Sequence, residues 1–119
     1  MYTYKAKVIR VIDGDTLDVL IDLGFNISHK IRLRLFGVNT PESRSRNLNE
    51  KCLGLTSKWY LKQLVEDKEI IVKTFKTGKY GRYLSLIYLP DDNISVNEKI
   101  LLAGLGLPYF GGKRGFKPL

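Results

Sequence analysis

The sequence predicts an α+β protein that is mainly β: a closed five-stranded barrel with one long and one short helix packed against it. Three observations lead to this class. Five short segments are rich in aliphatic residues and lie between turn signals, one long stretch in the middle of the chain has a helical period, and a capping motif marks a second helix. The chain has 119 residues, which suits one domain with a core of its own.

The predicted strands are five runs of aliphatic and β-branched residues: 8–12, 17–22, 31–35, 70–72 and 84–88. In the third run polar and apolar residues alternate, so Arg32 and Arg34 share one face and the aliphatic residues share the other. On a small barrel, a polar row opposite an apolar row is a place where a site can open. The third strand therefore carries the first candidate site residue, Arg34.

The long helix is predicted from about residue 48 to residue 66. Apolar residues recur there at helical spacing: Leu48, Cys52, Leu55 and Trp59, extended by Leu61, Leu64 and Val65. We expect this stripe, including Cys52, to face the core. Gly54 lies inside the stretch and weakens the prediction, because Gly costs a helix about 1 kcal/mol relative to Ala.

The short helix follows a turn at residues 90–93. Ser95 and Glu98 form a capping box at its start, and Gly104 should end it. The order along the chain is then three strands, a helix, two strands and a short helix, which fits a five-stranded barrel of the OB type. We expect residues 1–119 to form a single domain, in which the residues after about 111 are a loose, basic, glycine-rich tail.

The charge balance points to a polyanionic partner. The chain has 20 Lys and Arg against 12 Asp and Glu, a net charge of +8, and among polyanions nucleic acid is the commonest partner of a small basic domain. An anionic membrane surface is the rival partner, but no segment forms a strongly amphipathic basic helix and no apolar run approaches the length of a membrane span. We therefore expect DNA and RNA as partners, no membrane association, and a monomer.

The N-terminal segment and the cysteine content bear on the compartment. Residues 1–5 lead directly into strand-like sequence, without the apolar core or small-residue cleavage site of a signal peptide. The single Cys52 excludes an intramolecular disulfide framework and is compatible with a reducing compartment. We expect a cytoplasmic protein, and a processed, secreted form is the alternative.

Three short polar segments interrupt the strand-like sequence: residues 13–16, Arg34 with residues 39–42, and residues 79–82. Each has an ordinary structural explanation, as a hairpin turn, the start of a helix, or a basic turn. Together they hold carboxylates, a neutral oxygen ligand and two arginines, which are the groups needed to hold a hard cation and a phosphate. The combination indicates metal-assisted cleavage of a phosphodiester bond.

Three residues help to choose between the structural explanations and a metal or phosphate site. Asp15 is not needed for a hairpin and can offer a carboxylate to a hard cation. Arg34 lies between Leu33 and Leu35 and is costly to hold there without a partner, which is either a phosphate or a structural carboxylate. The lone His29 has no second His or Cys nearby, which argues against a zinc site.

The order and spacing of these motifs resemble those of the staphylococcal-nuclease-like (thermonuclease) family. The match runs through residues 11–16, 34–42, 79–82 and 96–98, and several ordered motifs are far more specific than one. The resemblance implies an OB-fold barrel and a calcium-dependent nuclease that cleaves DNA and RNA with little sequence specificity and leaves 3′-phosphate ends. It also implies Ca²⁺ as the cofactor.

Carried over position by position, the resemblance assigns a metal site and a base. Asp15 matches a calcium-binding carboxylate, Asn39 matches the second side-chain ligand, and the carbonyl of Thr40 matches the backbone ligand. Glu42 matches the residue that positions or deprotonates the attacking water. The assigned groups agree with the oxygen ligands that calcium prefers.

The resemblance also assigns the substrate contacts. Arg34 and Arg82 match the two phosphate-binding arginines, and Lys79 and Tyr80 match residues that contact the substrate phosphate. Tyr109 is a looser match for a tyrosine that stacks on the nucleotide. Because an exposed base is needed for such stacking, we expect single-stranded nucleic acid to be preferred.

The chain departs from the family pattern in two ways. Asn39 stands where the family's reference member has aspartate, so the site loses one negative charge and we expect weaker calcium binding. The chain ends soon after Phe116, so we expect the family's third helix to be missing or replaced by the basic tail. The alternative function is a catalytically inactive nucleic-acid-binding module of the OB type; the presence of Arg34, Glu42 and Arg82 favours the enzyme.

Overall fold

The computed structural model describes residues 2–44, 46–77 and 83–109, with the backbone alone at 75–77, 83 and 109. Within these ranges seven strands and two helices follow one another in an order that matches the predicted one, with two short strands added. The elements are β1 (Tyr2–Asp13), β2 (Thr16–Asp22), β3 (Ser28–Leu35), β4 (Gly37–Asn39), α1 (Leu48–Val65), β5 (Glu69–Thr77), β6 (Tyr83–Tyr88), α2 (Val96–Leu102) and β7 (Leu107–Tyr109).

Five of the strands close into a barrel in the order β1-β2-β3-β6-β5. All neighbours are antiparallel except β3 and β6, which run parallel, and β5 returns to pair with β1 and close the sheet. The predicted α+β class, mainly β with a five-stranded OB-type barrel and one long and one short helix, is confirmed. The short pair β4-β7, which forms a separate two-stranded sheet, was not predicted.

The core fills the inside of the barrel. Alternate residues of each strand point inward, and the two helices add further apolar side chains to the same cluster. Fully burying each aliphatic side chain stabilises the fold by about 1.5–3 kcal/mol. The completely buried apolar residues are Val8, Leu17, Val19, Leu33, Val38, Leu61, Val65, Val72, Ile87, Val96 and Ile100.

The prediction that the apolar stripe of α1 faces the core is confirmed for Leu61 and Val65, which are completely buried. It is wrong for the earlier part of the stripe, because Cys52 is exposed and Leu48 and Trp59 are 76% and 61% exposed. The buried face of α1 consists of Gly54, Ser57, Leu61 and Val65. It begins with two small residues because the helix approaches the loops of the candidate site closely there.

The predicted hairpin between β1 and β2 and the predicted short helix are confirmed, whereas the predicted basic turn at residues 79–82 lies outside the described residues. β1 and β2 are joined by the two-residue loop Gly14-Asp15, since Asp13 pairs with Thr16. The Ser95 side chain accepts a hydrogen bond from the Glu98 backbone N–H at 3.1 Å, which caps α2.

Asn97 connects α2 to the barrel. Its buried amide accepts a hydrogen bond from the Ile87 N–H at 3.1 Å and donates to the carbonyls of Phe36 at 2.8 Å and Ser85 at 3.0 Å. Phe36 lies between β3 and β4, so one side chain holds α2, β6 and the start of β4 together. This contact helps to fix the position of β4, which ends at Asn39. No helix within the described ranges is long and apolar enough to cross a membrane.

Candidate active site

The structure brings four of the predicted site residues together at one edge of the barrel. Asp15 lies in the β1-β2 loop, Arg34 near the end of β3, Asn39 at the end of β4, and Thr40 directly after it. The Leu35 N–H donates to the Asp15 carbonyl at 2.8 Å, which holds the loop against β3. All four polar residues are buried, with at most 7% of each exposed.

The Asp15 carboxylate accepts hydrogen bonds from both sides. Its Oδ2 accepts from the Thr40 backbone N–H at 3.0 Å, and its Oδ1 accepts from the Thr16 hydroxyl at 2.9 Å. The Arg34 Nη1 lies 3.1 Å from Oδ2. Since a buried carboxylate needs donors and a counter-charge, these three contacts satisfy the Asp15 carboxylate and fix its orientation.

The Arg34 guanidinium is shared among several oxygens. Its Nη1 donates to the Val38 carbonyl at 2.6 Å, and its Nη2 donates to the Asn39 Oδ1 at 3.4 Å. Of the two partners left open by the sequence, phosphate or structural carboxylate, the structure contains the carboxylate of Asp15. The Asp15 and Asn39 oxygens thus both face one positive group.

This arrangement fits a hard cation. Asp15 supplies a carboxylate, Asn39 an amide oxygen and Thr40 a carbonyl, all of them ligand types that Ca²⁺ accepts. The buried Thr40 hydroxyl oxygen has no hydrogen-bond partner within the described part of the chain, so the site holds an additional unused oxygen. The described residues contain no cluster of three His, Cys, Asp or Glu that could hold a metal ion, so a cation at this site would also need amide or backbone oxygens as ligands.

Glu42 lies in the loop that follows this cluster and is exposed. The next residue, Ser43, donates from its backbone N–H and its hydroxyl to Asp13 Oδ1, at 3.3 and 2.5 Å. The Asp13 carboxylate thereby attaches the loop that carries Glu42 to the end of β1. The sequence pattern assigned Asp13 only to the hairpin turn, although a second acidic residue beside Asp15 could have suggested a further role.

Helix α1 packs against the loop that carries Glu42, and a glycine of the helix makes the close approach possible. A Cβ atom added to Gly54 would lie 2.5 to 2.6 Å from the carbonyl carbon and oxygen of Glu42 and the backbone nitrogen of Ser43. A Cβ on Gly14 would lie 2.5 Å from the Cβ of Ser57 and 3.0 Å from the Thr40 hydroxyl oxygen. Only residues without a side chain allow this approach, so the helix supports both loops of the site at van der Waals distance.

A family model described as Staphylococcal nuclease homologue matches residues 32–116. The chain belongs to the staphylococcal nuclease family. The matched region contains Arg34, Asn39, Thr40 and Glu42, and it extends across residues 79–82. The family resemblance drawn from the ordered motifs is confirmed.

Relatives in this family are similar over most of the chain. An "Uncharacterized endonuclease" of Escherichia coli is 32% identical over 104 residues, which is 87% of this chain and 60% of the relative. The "Thermonuclease" of Staphylococcus hyicus is 33% identical over 106 residues, 87% of this chain and 59% of the relative. The "Micrococcal nuclease" of Shigella flexneri is 31% identical over 87 residues, 73% of this chain and 44% of the relative. The chain thus spans about half to three fifths of the length of these staphylococcal nuclease relatives.

The remaining predicted residues of the staphylococcal nuclease site are placed only in part. Lys79, Tyr80 and Arg82 lie outside the described residues. Tyr109 lies in β7, where its backbone pairs with Gly37, two residues before Asn39 on β4. The backbone of Tyr109 therefore lies on the strand that pairs with β4, and its role in nucleotide stacking stays a prediction.

Proposed function

We propose that this chain is a calcium-dependent nuclease that hydrolyses phosphodiester bonds of DNA and RNA with little sequence specificity and leaves 3′-phosphate ends. The observation that carries the proposal is the convergence of the buried Asp15 and Asn39 oxygens on the Arg34 guanidinium, 3.1 and 3.4 Å away. Oxygens that suit a cation thus lie beside a guanidinium that suits a phosphate. Membership of the staphylococcal nuclease family and the nuclease names of its relatives support the same activity.

Calcium, when bound, offsets the negative charge that builds up on the phosphate oxygens. Asp15, Asn39 and the Thr40 carbonyl are the groups that hold it. The planar guanidinium of Arg34 can bind two phosphate oxygens at once and should stabilise the transition state more than the ground state. A phosphate that enters the site competes with Asp15 for this guanidinium.

Glu42 is the proposed general base for the attacking water. It lies on an exposed loop, where water reaches it, and the Asp13–Ser43 contact fixes the backbone on its C-terminal side. Arg82 is the proposed second phosphate ligand, with Lys79 and Tyr80 beside it. Tyr109 is proposed to stack on an unpaired base, which would favour single-stranded substrates.

A catalytically inactive nucleic-acid-binding module is the second candidate. One observation favours it: the buried oxygen cluster contains a single carboxylate, Asp15, because position 39 is an amide. Ligand charge tunes calcium affinity, so a site with one carboxylate fewer could fail to hold the metal while the barrel still bound nucleic acid.

The deciding experiment is digestion of a labelled single-stranded DNA oligonucleotide with added calcium, against an EGTA control. The variant is Glu42→Gln, and Glu98→Gln is its matched control, because Glu98 is exposed on α2 and Gln is also accepted at that capping position. We expect calcium-dependent cleavage that only the Glu42 variant loses. Tight binding without cleavage at any calcium concentration would instead support the inactive module.

A further inference from the structure

One outward face of the barrel carries a row of cations that starts at the candidate site. Thr16 on β2 pairs with Arg34 on β3, and the next outward pairs along the two strands are Asp18 with Arg32 and Leu20 with Lys30. Alternate residues of a strand point to the same side. Arg34, Arg32 and Lys30 therefore form a line, while the intervening Leu33 is completely buried in the core.

A second line of cations runs along β1 on the same face. Lys7 lies opposite Leu20 and Arg10 lies opposite Asp18. A bulge makes this possible, because the register shifts between Val8 and Arg10 and Ile9 has no partner on β2. The bulge moves Arg10 to the outer face three residues after Lys7, where an unbroken strand would have turned it into the core.

These cations outnumber the carboxylates around them. The cationic sheet face consists of five exposed residues: Lys5, Lys7, Arg10, Lys30 and Arg32. Three acidic side chains lie among them: Asp18 and Asp22 on β2 between the two lines, and Glu69 on β5, which pairs with Lys7.

Asp18 holds the two arginines in place. Its carboxylate lies 2.9 Å from the Arg32 Nε and 3.7 Å from an Arg10 nitrogen, while 47% and 63% of these two side chains remain exposed. The three lysines of the face make no ion pair with any residue in the described ranges. The face thus presents two positioned guanidinium groups and three ammonium groups to solvent.

We propose that the cationic sheet face binds the sugar-phosphate backbone of a single-stranded nucleic acid beyond the phosphate held at Arg34. Residues two apart on a strand are about 6.6 Å apart, close to the separation of successive phosphates in an extended strand. The cations therefore lie in register with a linear polyanion that leaves the candidate site along β3. The outer face of strands 2 and 3 is also where OB-type barrels can bind oligonucleotides. That the bound nucleic acid runs from Arg34 along β3 rests on the proposed function. That the cationic sheet face binds a nucleic acid does not rest on it.

The test is a binding measurement without cleavage. Fluorescence anisotropy with labelled oligothymidylates, one a dinucleotide and one of about 16 nucleotides, is recorded in EGTA from about 50 to 200 mM KCl. The variant is Lys7→Ala/Lys30→Ala. The matched control is Lys51→Ala/Lys62→Ala on α1, which removes the same charge from another part of the surface.

We expect the sheet variant to bind the long oligonucleotide several-fold more weakly. Its log-affinity against log-salt plot should be shallower by about 1.4, because each single-strand phosphate contact contributes about 0.7 to the slope. The dinucleotide should bind both variants and the unmodified protein equally, since its one internucleotide phosphate lies at Arg34 and does not reach Lys30 or Lys7. The control pair should bind the long oligonucleotide like the unmodified protein, and all three proteins should unfold at the same temperature because the substituted lysines lie on the surface.

An equal loss of affinity for the long oligonucleotide in the sheet and control variants would overturn the proposal, since it would mean that only the net charge of the protein matters. Unchanged binding by the sheet variant would overturn it as well, as would preferential binding to phosphatidylserine vesicles that depends on the same lysines. If the unmodified protein proves unable to cleave, while the sheet variant still loses affinity for the long strand, the proposed nuclease activity fails and the binding face stands.

Discussion

The Arg34 guanidinium lies 3.1 Å from the Asp15 carboxylate, and both side chains are buried at the edge of the barrel. Each neutralises the other where water does not reach. Removing one partner would leave an uncompensated buried charge, which costs several kcal/mol. The pair is therefore part of the fold as well as part of the proposed site.

We predict that Arg34→Ala destabilises the protein by about 3–5 kcal/mol, because it leaves Asp15 charged and unpaired. Urea denaturation at neutral pH measures the loss. Calcium should restore part of the stability, because a bound cation replaces the missing positive charge and a ligand that binds the folded state stabilises it. Arg10→Ala is the control, since Arg10 is a mostly exposed arginine whose Asp18 partner keeps Arg32. An Arg34 variant that is as stable as the Arg10 variant would contradict the structural role of the pair.

We predict that Asn39→Asp tightens calcium binding, because it adds a second carboxylate to a site whose other side-chain ligand is Asp15. Isothermal titration calorimetry, or the calcium dependence of the unfolding temperature, measures the change without any need for activity. Asn49→Asp on the exposed start of α1 adds the same charge away from the site and should leave calcium affinity unchanged. If both variants bind calcium alike, position 39 is not a ligand.

We predict that Gly54→Ala destabilises the protein, although Ala favours a helix over Gly by about 1 kcal/mol. The added Cβ would lie within 2.6 Å of the backbone of Glu42 and Ser43, so the helix or the loop must move. The loop carries the proposed base, and cleavage should slow as well. Thr56→Ala, at an exposed position of the same helix, should instead leave stability equal or slightly higher. Thermal unfolding followed by circular dichroism separates the two; a stabilising Gly54→Ala would show that the contact is not tight.

We predict that Ser43→Ala lowers the proposed cleavage rate with little change in KM. The substitution removes the hydroxyl that donates to Asp13 and leaves the weaker backbone contact at 3.3 Å. One lost hydrogen bond costs about 1 kcal/mol of stability, and a less fixed loop positions Glu42 less well. Steady-state kinetics with Thr56→Ala as the control would show whether the loss is specific; a rise in KM at constant kcat would point to substrate binding instead.

Asp18 predicts a pH dependence of stability. The hydrogen bond from Arg32, aided by the charges of Arg10 and Lys30, lowers the pKa of Asp18 below its ordinary value of 3.8. The ionised form is thus favoured in the folded state, so its stabilising contribution is full at neutral pH and is lost as the pH falls through the lowered pKa. We expect Asp18→Asn to be less stable than the unmodified protein at pH 7, with the difference shrinking below pH 3.8. A difference that stays constant across this range in urea denaturation would contradict the assignment.

Local chemistry made much of this molecule predictable. The hairpin at residues 13–16 and the start of α2 at Ser95 were predictable, because turns and caps depend on a few adjacent residues. The alternation around Arg34 placed that residue on the outer face of β3, and the ordered motifs identified Asp15, Asn39 and Thr40 as members of one site. The ordered motifs thus assigned residues that are far apart in the sequence to one site.

The tertiary structure alone decided how the long helix meets the site. The apolar period of α1 placed Leu61 and Val65 in the core, as observed. It also selected Leu48 and Trp59, whereas near the site the helix approaches the loops so closely that only Gly54 and Ser57 fit there. Periodicity reports where large apolar side chains lie, whereas close packing of backbones selects residues with almost no side chain. The hydrogen bonds from Ser43 to Asp13 likewise join residues thirty positions apart, because the barrel brings the two loops together and no local pattern in the sequence encodes that contact.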